Sequence, residues 1–460
     1  MRSLLLLTAL LGCAHLPGDA HPTTRPNVLL VLVDDLGAHD VGCYGNPAVD
    51  TPRIDAFARE AVRFTDGYAA APVCSPTRAS IMTGKSPARV RITNHAPDQR
   101  RFWPDDPVLE PAPMLDRLPL EEVTLAEHLS AAGYDTAFLG KWHLAPQRVP
   151  DAHEWYPDRQ GFDVNLGGNG DGGPGRFFAP YRFPNLESRA EGEYLPYRIG
   201  DEAVAYLEAH AEDEDPFFMA LWHYTVHWPI EAPADLVAKY AERGTGPGIK
   251  MVEYAAMTEA LDRVFGRVLD ALERTGQADD TVVVFTSDNG ALLSVADLGP
   301  LRKAKGYLYE GGIRVPFMVR WPGVTEPGRV DRTPVVSTDL FPTLLAACGV
   351  PIPADYCGDG VDLRPVLAGG AIDRAALHFH YPNYAWHRSN RLGGAIRAGR
   401  YKLIERFDDG TLELYDLEED LGEARDLAEL RPELAADLQR RLQAWREDTG
   451  AAMPTRASGR

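Results

Sequence analysis

Two kinds of hydrophobic pattern alternate along the chain. Residues 27–33, 217–222 and 281–286 are continuous apolar runs, rich in β-branched or aromatic side chains, and 135–140 is a shorter one. Runs of this length with no polar alternation predict strands buried on both faces, as in the middle of a parallel sheet. Between them lie stretches with apolar residues at helical spacing. In 54–64 these are Ile54, Phe57, Ala58 and Ala61, and in 251–275 they are Tyr254, Leu261, Val264, Phe265, Val268 and Leu272. Helices are also predicted at 201–210 and 338–348, and at 124–133, which opens on the capping box Thr124-Leu125-Ala126-Glu127 and stops at Gly133. A fifth strand is expected to begin at Phe317. Strands alternating with helices imply a mostly parallel sheet with right-handed crossovers.

After Pro365 the pattern changes. Residues 395–405 and 411–417 alternate with period two, Asp408-Asp409-Gly410 between them is a hairpin signal, and 431–446 is a charged amphipathic helix. The predicted organisation is a leader over 1–21, a catalytic domain over 22–365 and a C-terminal subdomain over 366–460. The fold class is α/β, a large mostly parallel sheet sandwiched by helices, with a small C-terminal α+β subdomain. Two long irregular stretches stand out, 94–120 and the glycine-rich segment Gly167-Gly168-Asn169-Gly170-Asp171-Gly172-Gly173. The latter is a weak phosphate-loop candidate, because no helix follows it.

The strand ends carry the chemistry. The first run stops in Asp34-Asp35, the second in Lys141-Trp142-His143, the third is followed by His223 and His227, and the fourth by Asp288-Asn289. In open α/β sheets the ligand site lies beyond the carboxyl ends of the strands. Each group alone reads as a solvated turn; four on one edge read as a site. Three carboxylates and an amide oxygen suit Ca²⁺, with Mg²⁺ the alternative, and suit zinc poorly. Lysine, arginine and histidine around such a cation would hold a tetrahedral anion, which argues for metal-assisted hydrolysis of a phosphate or sulfate ester.

The chain has 460 residues and a net charge of −20, without a basic block, which argues against a nucleic-acid partner. Arg2 followed by the apolar stretch 4–11 is too short to span a bilayer and reads as an export signal. Leu10-Leu11-Gly12-Cys13 resembles a lipoprotein cleavage box, so the protein is expected to be exported, as a periplasmic or cell-surface lipoprotein tethered at Cys13 or as a secreted protein cut before about His21. Of the five cysteines, Cys348 and Cys357 are close enough to bridge a small loop or to stay free.

Cys74 lies in Cys74-Ser75-Pro76-Thr77-Arg78, ahead of a helix expected to start near Arg78. By itself it reads equally as a reactive thiol activated by a helix dipole and a guanidinium, or as a buried structural cysteine. Cys-x-Pro-x-Arg resembles the signature of the type I sulfatases. So do Asp34-Asp35-Leu36-Gly37, Gly140-Lys141-Trp142-His143, Ser287-Asp288-Asn289-Gly290 and 308–316, in the family's order.

The resemblance implies the alkaline-phosphatase-like fold and a formylglycine-dependent hydrolase of a sulfated carbohydrate. It also implies conversion of Cys74 to Cα-formylglycine by a maturase. One hydroxyl of the aldehyde hydrate would attack sulfur, giving a covalent sulfate hemiester, and the other would expel sulfate. Carried over, Asp34, Asp35, Asp288 and Asn289 would bind Ca²⁺ together with modified Cys74. Arg78 and Lys141 would stabilise charge on the diol, His143 would take a proton during sulfate release, and His227 and Lys305 would hold the sulfate, with Lys303 a second candidate for the lysine. His380 and His387 are expected to lean over the cleft and contact the sugar. Alternatives are a phosphonate monoester or phosphodiester hydrolase of the same superfamily, a non-catalytic binder of sulfated glycans and, more remotely, a thiolate hydrolase.

Overall fold

The computed structural model describes residues 25–354 and 356–457, so the leader and Cys13 lie outside the described residues. Its centre is an eight-stranded sheet. In chain order the strands are β1 (Asn27–Val33), β2 (Val62–Phe64), β3 (Asp135–Gly140), β4 (Val164–Leu166), β5 (Phe217–Trp222), β6 (Thr281–Ser287), β7 (Phe317–Arg320) and β8 (Val330–Asp331). In space they run β8-β2-β7-β6-β1-β5-β3-β4. The strands β6, β1, β5, β3 and β4 are mutually parallel, and β7 is antiparallel to both β6 and β2.

The continuous apolar runs are explained by two covered faces. Leu29, Val31 and Val33 of β1 enter one core, and Val28, Leu30 and Leu32 enter the other. The first core is closed by α1 (Pro52–Ala58), α4 (Leu195–Ala209), α5 (Ala234–Arg243) and α6 (Val252–Arg274); the second by α2 (Cys74–Thr83), α3 (Leu125–Ala131) and α7 (Leu340–Ala347). Each fully buried Leu or Val contributes about 1.5–3 kcal/mol. The capping box that opens α3 forms as expected: Thr124 Oγ1 accepts from the Glu127 amide at 3.1 Å, and Glu127 accepts from the Thr124 amide at 2.7 Å.

The helix expected over 54–64 ends at Ala58, because Val62–Phe64 pairs with Phe317–Val319 as β2. Its start is fixed by Asp262 of α6, which accepts hydrogen bonds from the amides of Arg53 and Ile54 at 2.9 and 2.7 Å. Burial pushes the Asp262 carboxyl up to about 7. The folded state then binds this proton more tightly than the unfolded chain, so stability falls as pH rises from about 4 to 7. Asp262→Asn keeps an acceptor for both amides and should flatten that part of the profile. Chemical denaturation at pH 5 and pH 7.5 would read the change.

The C-terminal sheet has four antiparallel strands, β9 (Leu377–Tyr381), β10 (Gly393–Ala398), β11 (Tyr401–Arg406) and β12 (Leu412–Asp416). The run read as one strand over 395–405 is two strands turning at Gly399 and Arg400. Ile396, Leu403 and Leu414 pack under α8 (Pro432–Thr449). The other face presents Phe379, Ala395, Ile404 and Tyr415 to Tyr68, Val73, Leu308 and Ile313 of the main domain. A buried ion cluster fastens this joint: Lys402 Nζ lies 2.8 Å from Glu310 and 2.9 Å from Glu423. Removing its ammonium, as in Lys402→Met, leaves Glu423 buried beside Glu310, which keeps only its ion pair with Arg314 at 2.7 Å. It should lower the unfolding free energy by about 3–5 kcal/mol in urea titration. Cys348 and Cys357 are free thiols, one buried and one exposed, and not the bridge their spacing allowed.

Candidate active site

The strands β6, β1, β5 and β3 are adjacent and parallel, so their carboxyl ends bring Asp288-Asn289, Asp34-Asp35, His227 and Lys141-His143 to one edge of the sheet. The helix α2 begins at Cys74 itself rather than near Arg78. Cys74 is thus its first residue, at the positive end of the helix, and Arg78 follows one turn later on the same side. The 299–306 loop supplies Lys305.

These side chains meet around the Cys74 thiol. Its Sγ lies 3.5 Å from Asp34 Oδ1, 4.0 Å from Asp35 Oδ1 and 3.1 Å from Lys305 Nζ. Lys141 donates to Asp34 Oδ2 at 2.6 Å, and Lys305 donates to Asp35 Oδ1. Arg78 grips Asp288 through Nε at 2.8 Å and Nη2 at 2.7 Å, and its guanidinium lies 5.4 Å from the centre of the Trp222 ring. The Asn289 amide donates to Asp35 Oδ1 at 2.8 Å. Asp34, Asp35, Cys74, Arg78, Lys141, Asp288 and Asn289 are all wholly buried.

Ring charges balance: three carboxylates face Arg78, Lys141 and Lys305. Burial raises the Asp34 carboxyl to about 7. Burial pushes Asp35 the same way, but Lys305, His227 and Lys141 overcome it and hold that carboxyl below the usual range. Burial, with Asp34 and Asp288 adding to it, raises the Cys74 thiol to about 12 against the pull of Lys141 and Lys305. A thiolate is therefore poorly favoured here, which weighs against thiolate hydrolysis. Two oxygens within the ring, Asp35 Oδ2 and Asn289 Oδ1, are buried without a hydrogen-bond donor. Asp34, Asp35 and Asp288 offer carboxylate oxygens within one cluster that also holds the Cys74 sulfur, and with Asn289 they would give a hard divalent cation its oxygen ligands. Adding such a cation would give the balanced ring a net positive charge, suited to an anionic ester.

His143 and His227 flank this ring. Burial lowers both, His227 to about 3 and His143 well below its ordinary value, with Lys141 adding to the effect at His143. His227 Nδ1 faces the Trp228 carbonyl at 2.8 Å, so Nε2 is the atom turned inward, 3.9 Å from Asp35 Oδ2. The glycine-rich segment packs over these rings: a Cβ on Gly172 would sit 2.8 Å from the His143 ring, and one on Gly173 3.1 Å from His227 Nδ1.

Lys303 is not in the ring, since its ammonium lies 5.2 Å from the centre of the Tyr307 ring. His387 stacks on Tyr307 with ring centres 4.7 Å apart, beside Gly306, and makes no ion pair of the ring. His380 does not lean over the cleft. It points away within β9, only 2% exposed, with Nε2 2.9 Å from the Ala452 carbonyl. The period-two strand pattern that places it was hidden by its flanking polar loop. His95, which nothing in the sequence singles out, and Trp386, in the 386–388 stretch expected near the cleft but given no role, sit next to the ring, with Trp386 5.3 Å from Lys305 Nζ and His95 6.2 Å from His143. Both come from irregular segments in which spacing carries no signal.

The sulfatase family profile matches residues 26–350. The chain belongs to the sulfatase family. A second profile, the C-terminal part of N-sulphoglucosamine sulphohydrolase, matches 303–448 of this sulfatase. It is 36% identical to human arylsulfatase A over 412 residues, covering 82% of this chain and 74% of that protein. It is 30% identical to the ulvan-active sulfatase of Formosa agariphila, covering 91% and 81%. Among solved structures it is similar to Ps i-CgsB in complex with k-i-k-neocarrahexaose, with a TM-score of 0.77, 27% identity, and 92% and 93% of the two chains covered. The sulfatase is thus a sulfuric ester hydrolase of the α/β class expected from its strand and helix pattern.

Proposed function

We propose that this sulfatase removes sulfate from a sulfated carbohydrate, that residue 74 works as the hydrated aldehyde of Cα-formylglycine, and that Asp34, Asp35, Asp288 and Asn289 hold Ca²⁺ beside it. The observation that carries this reading is the position of Cys74: first residue of a helix, buried, 3.1 Å from Lys305 and inside an oxygen-rich ring. A hydroxyl is the nucleophile that a hard cation activates, and a thiol is not. Carbohydrate is favoured by relatives that act on ulvan or bind a carrageenan oligosaccharide.

The bound cation would lower the pKa of a hydroxyl on residue 74 and draw sulfuryl oxygens toward the ring. The chain's own groups do the rest. Arg78 is fixed by Asp288 and by Trp222, so its guanidinium enters the reaction already oriented. Lys141 and Lys305 supply positive charge where sulfuryl oxygens gather. His227 turns Nε2 inward, because Nδ1 donates to the Trp228 carbonyl, and it would donate from Nε2 to the ester oxygen as the imidazolium. His143, held neutral, is ready to accept the proton released when sulfate leaves. A maturase would convert Cys74 during biosynthesis, and the leader over 1–21 would export the product.

The glycine segment offers a test of His143 that spares its ring. Gly172→Ala should displace that imidazole and lower kcat by about 10- to 100-fold, with the melting temperature little changed. Substrate class is tested by comparing turnover of sulfated monosaccharides, ulvan and carrageenan fragments, aryl sulfate and aryl phosphonate. Preference for a saccharide sulfate supports the proposal. Preference for the phosphonate overturns it, and binding of sulfated glycan without turnover would make the protein a binder.

A further inference from the structure

His95 belongs to no ion pair of the ring, yet it is packed against it. Its ring centre lies 6.2 Å from that of His143 and 5.6 Å from that of Trp386, with the His95 and Trp386 planes 80° apart. Its Nδ1 is buried and meets no hydrogen-bonding partner among the described residues. A buried polar atom in that state calls for a partner from outside the chain. Burial, with Lys305 and Lys141 nearby, holds the imidazole neutral, so it can form a hydrogen bond with an uncharged hydroxyl.

Trp386 arrives from the connection between β9 and β10, far away in sequence, and meets His95 over Lys305. The meeting is fixed rather than incidental. Thr93 Oγ1 donates to Asn383 Oδ1 at 2.7 Å, Asn94 Nδ2 donates to the Tyr384 carbonyl at 3.0 Å, and the Tyr381 hydroxyl donates to Asn94 Oδ1 at 3.0 Å. The Ala385 amide, bonded to Asn390 Oδ1 at 2.8 Å, closes the loop that presents the indole. Side chains locked in this way by their neighbours are what a preorganised binding site requires.

An aromatic face joined to a hydrogen-bonding nitrogen, beside the cations that hold sulfate, matches the chemistry of a sugar ring: apolar on one face, hydroxylated at its edge. We infer that His95 and Trp386 form the subsite for the pyranose ring that bears the scissile sulfate, with Trp386 packing on the ring's apolar face and His95 Nδ1 bonding a hydroxyl beside the sulfated carbon. This rests on the carbohydrate-sulfatase reading and narrows it. The C-terminal subdomain then helps to choose the substrate.

The test uses the full-length enzyme, converted at residue 74, and the ratio of kcat/KM for its best sulfated monosaccharide to that for p-nitrophenyl sulfate. In Trp386→Ala and His95→Ala the ratio should fall at least about tenfold, mainly through KM for the saccharide. Trp386→Phe should recover most of it. A ratio that moves less than about threefold overturns the inference. So does an equal loss on both substrates through kcat, which would place the residues in the sulfate chemistry. Melting temperatures accompany each variant. If an alanine variant fails to fold, Trp386→Leu and His95→Gln carry the comparison, with a fall in the ratio of at least about threefold expected and a smaller change in both overturning the inference. A wild type that hydrolyses p-nitrophenyl sulfate but no saccharide sulfate refutes the carbohydrate reading itself, before any variant is compared.

Discussion

Cys74→Ser is expected to lose steady-state sulfatase activity by at least about 10⁴-fold, although serine keeps an oxygen nucleophile in the same place. The reason is the number of hydroxyls. A hydrated aldehyde has two, one to accept the sulfuryl group and one whose deprotonation expels it. Serine has one, so its sulfate ester has no internal route to release. The surroundings are otherwise intact in this variant: Lys305, Asp34 and Asp35 still surround the first residue of α2. Intact-mass measurement after incubation with substrate should therefore show a slow, single sulfation of the serine variant. Cys74→Ala should show neither turnover nor sulfation. Full turnover by the serine variant would refute the two-hydroxyl account.

Asp288→Ala should lower kcat/KM by at least about a thousandfold, and it should also damage the fold. Asp288 has two duties. In the proposed site it would be one of the oxygen ligands of the cation, and its Oδ2 pairs with both Nε and Nη2 of Arg78. Arg78 is wholly buried, so loss of Asp288 leaves its guanidinium only the more distant Asp34, 3.7 Å away, at a cost of up to about 3–5 kcal/mol. Chelation of the wild type should reproduce the loss of activity, and added Ca²⁺ should restore it. Added Ca²⁺ should not restore the variant. Chemical denaturation together with kcat/KM at saturating Ca²⁺ separates the two duties. An active Asp288→Ala enzyme would mean that the oxygen set is not the metal site.

Much of the fold was legible, because burial on both faces writes itself into sequence. The β1 run, 27–33, is apolar at every position after Asn27, and both cores explain why. Polar groups at the ends of buried strands were legible for the complementary reason: a charge there is costly unless something converges on it. The positions that misled obey contacts distant in sequence. Val62–Phe64 has helical spacing with Ile54 and Phe57, yet it is a strand because Phe317–Val319 pairs with it. His380 reads as a loop histidine and is a buried strand residue, since β10 pairs alongside it. His95 and Trp386 carry no periodic signal at all; only the hydrogen bonds between 93–94 and 381–384 bring them together.

The central claim is that residue 74 is a cysteine in the translated chain and an aldehyde in the working enzyme. Mass spectrometry of the peptide containing residue 74, from protein purified from its native host and treated with a thiol alkylating reagent, tests this most directly. The account predicts the mass of Cα-formylglycine, reactive toward hydrazine probes and untouched by the alkylating reagent. A fully alkylated cysteine in enzyme that still hydrolyses sulfate esters would contradict it.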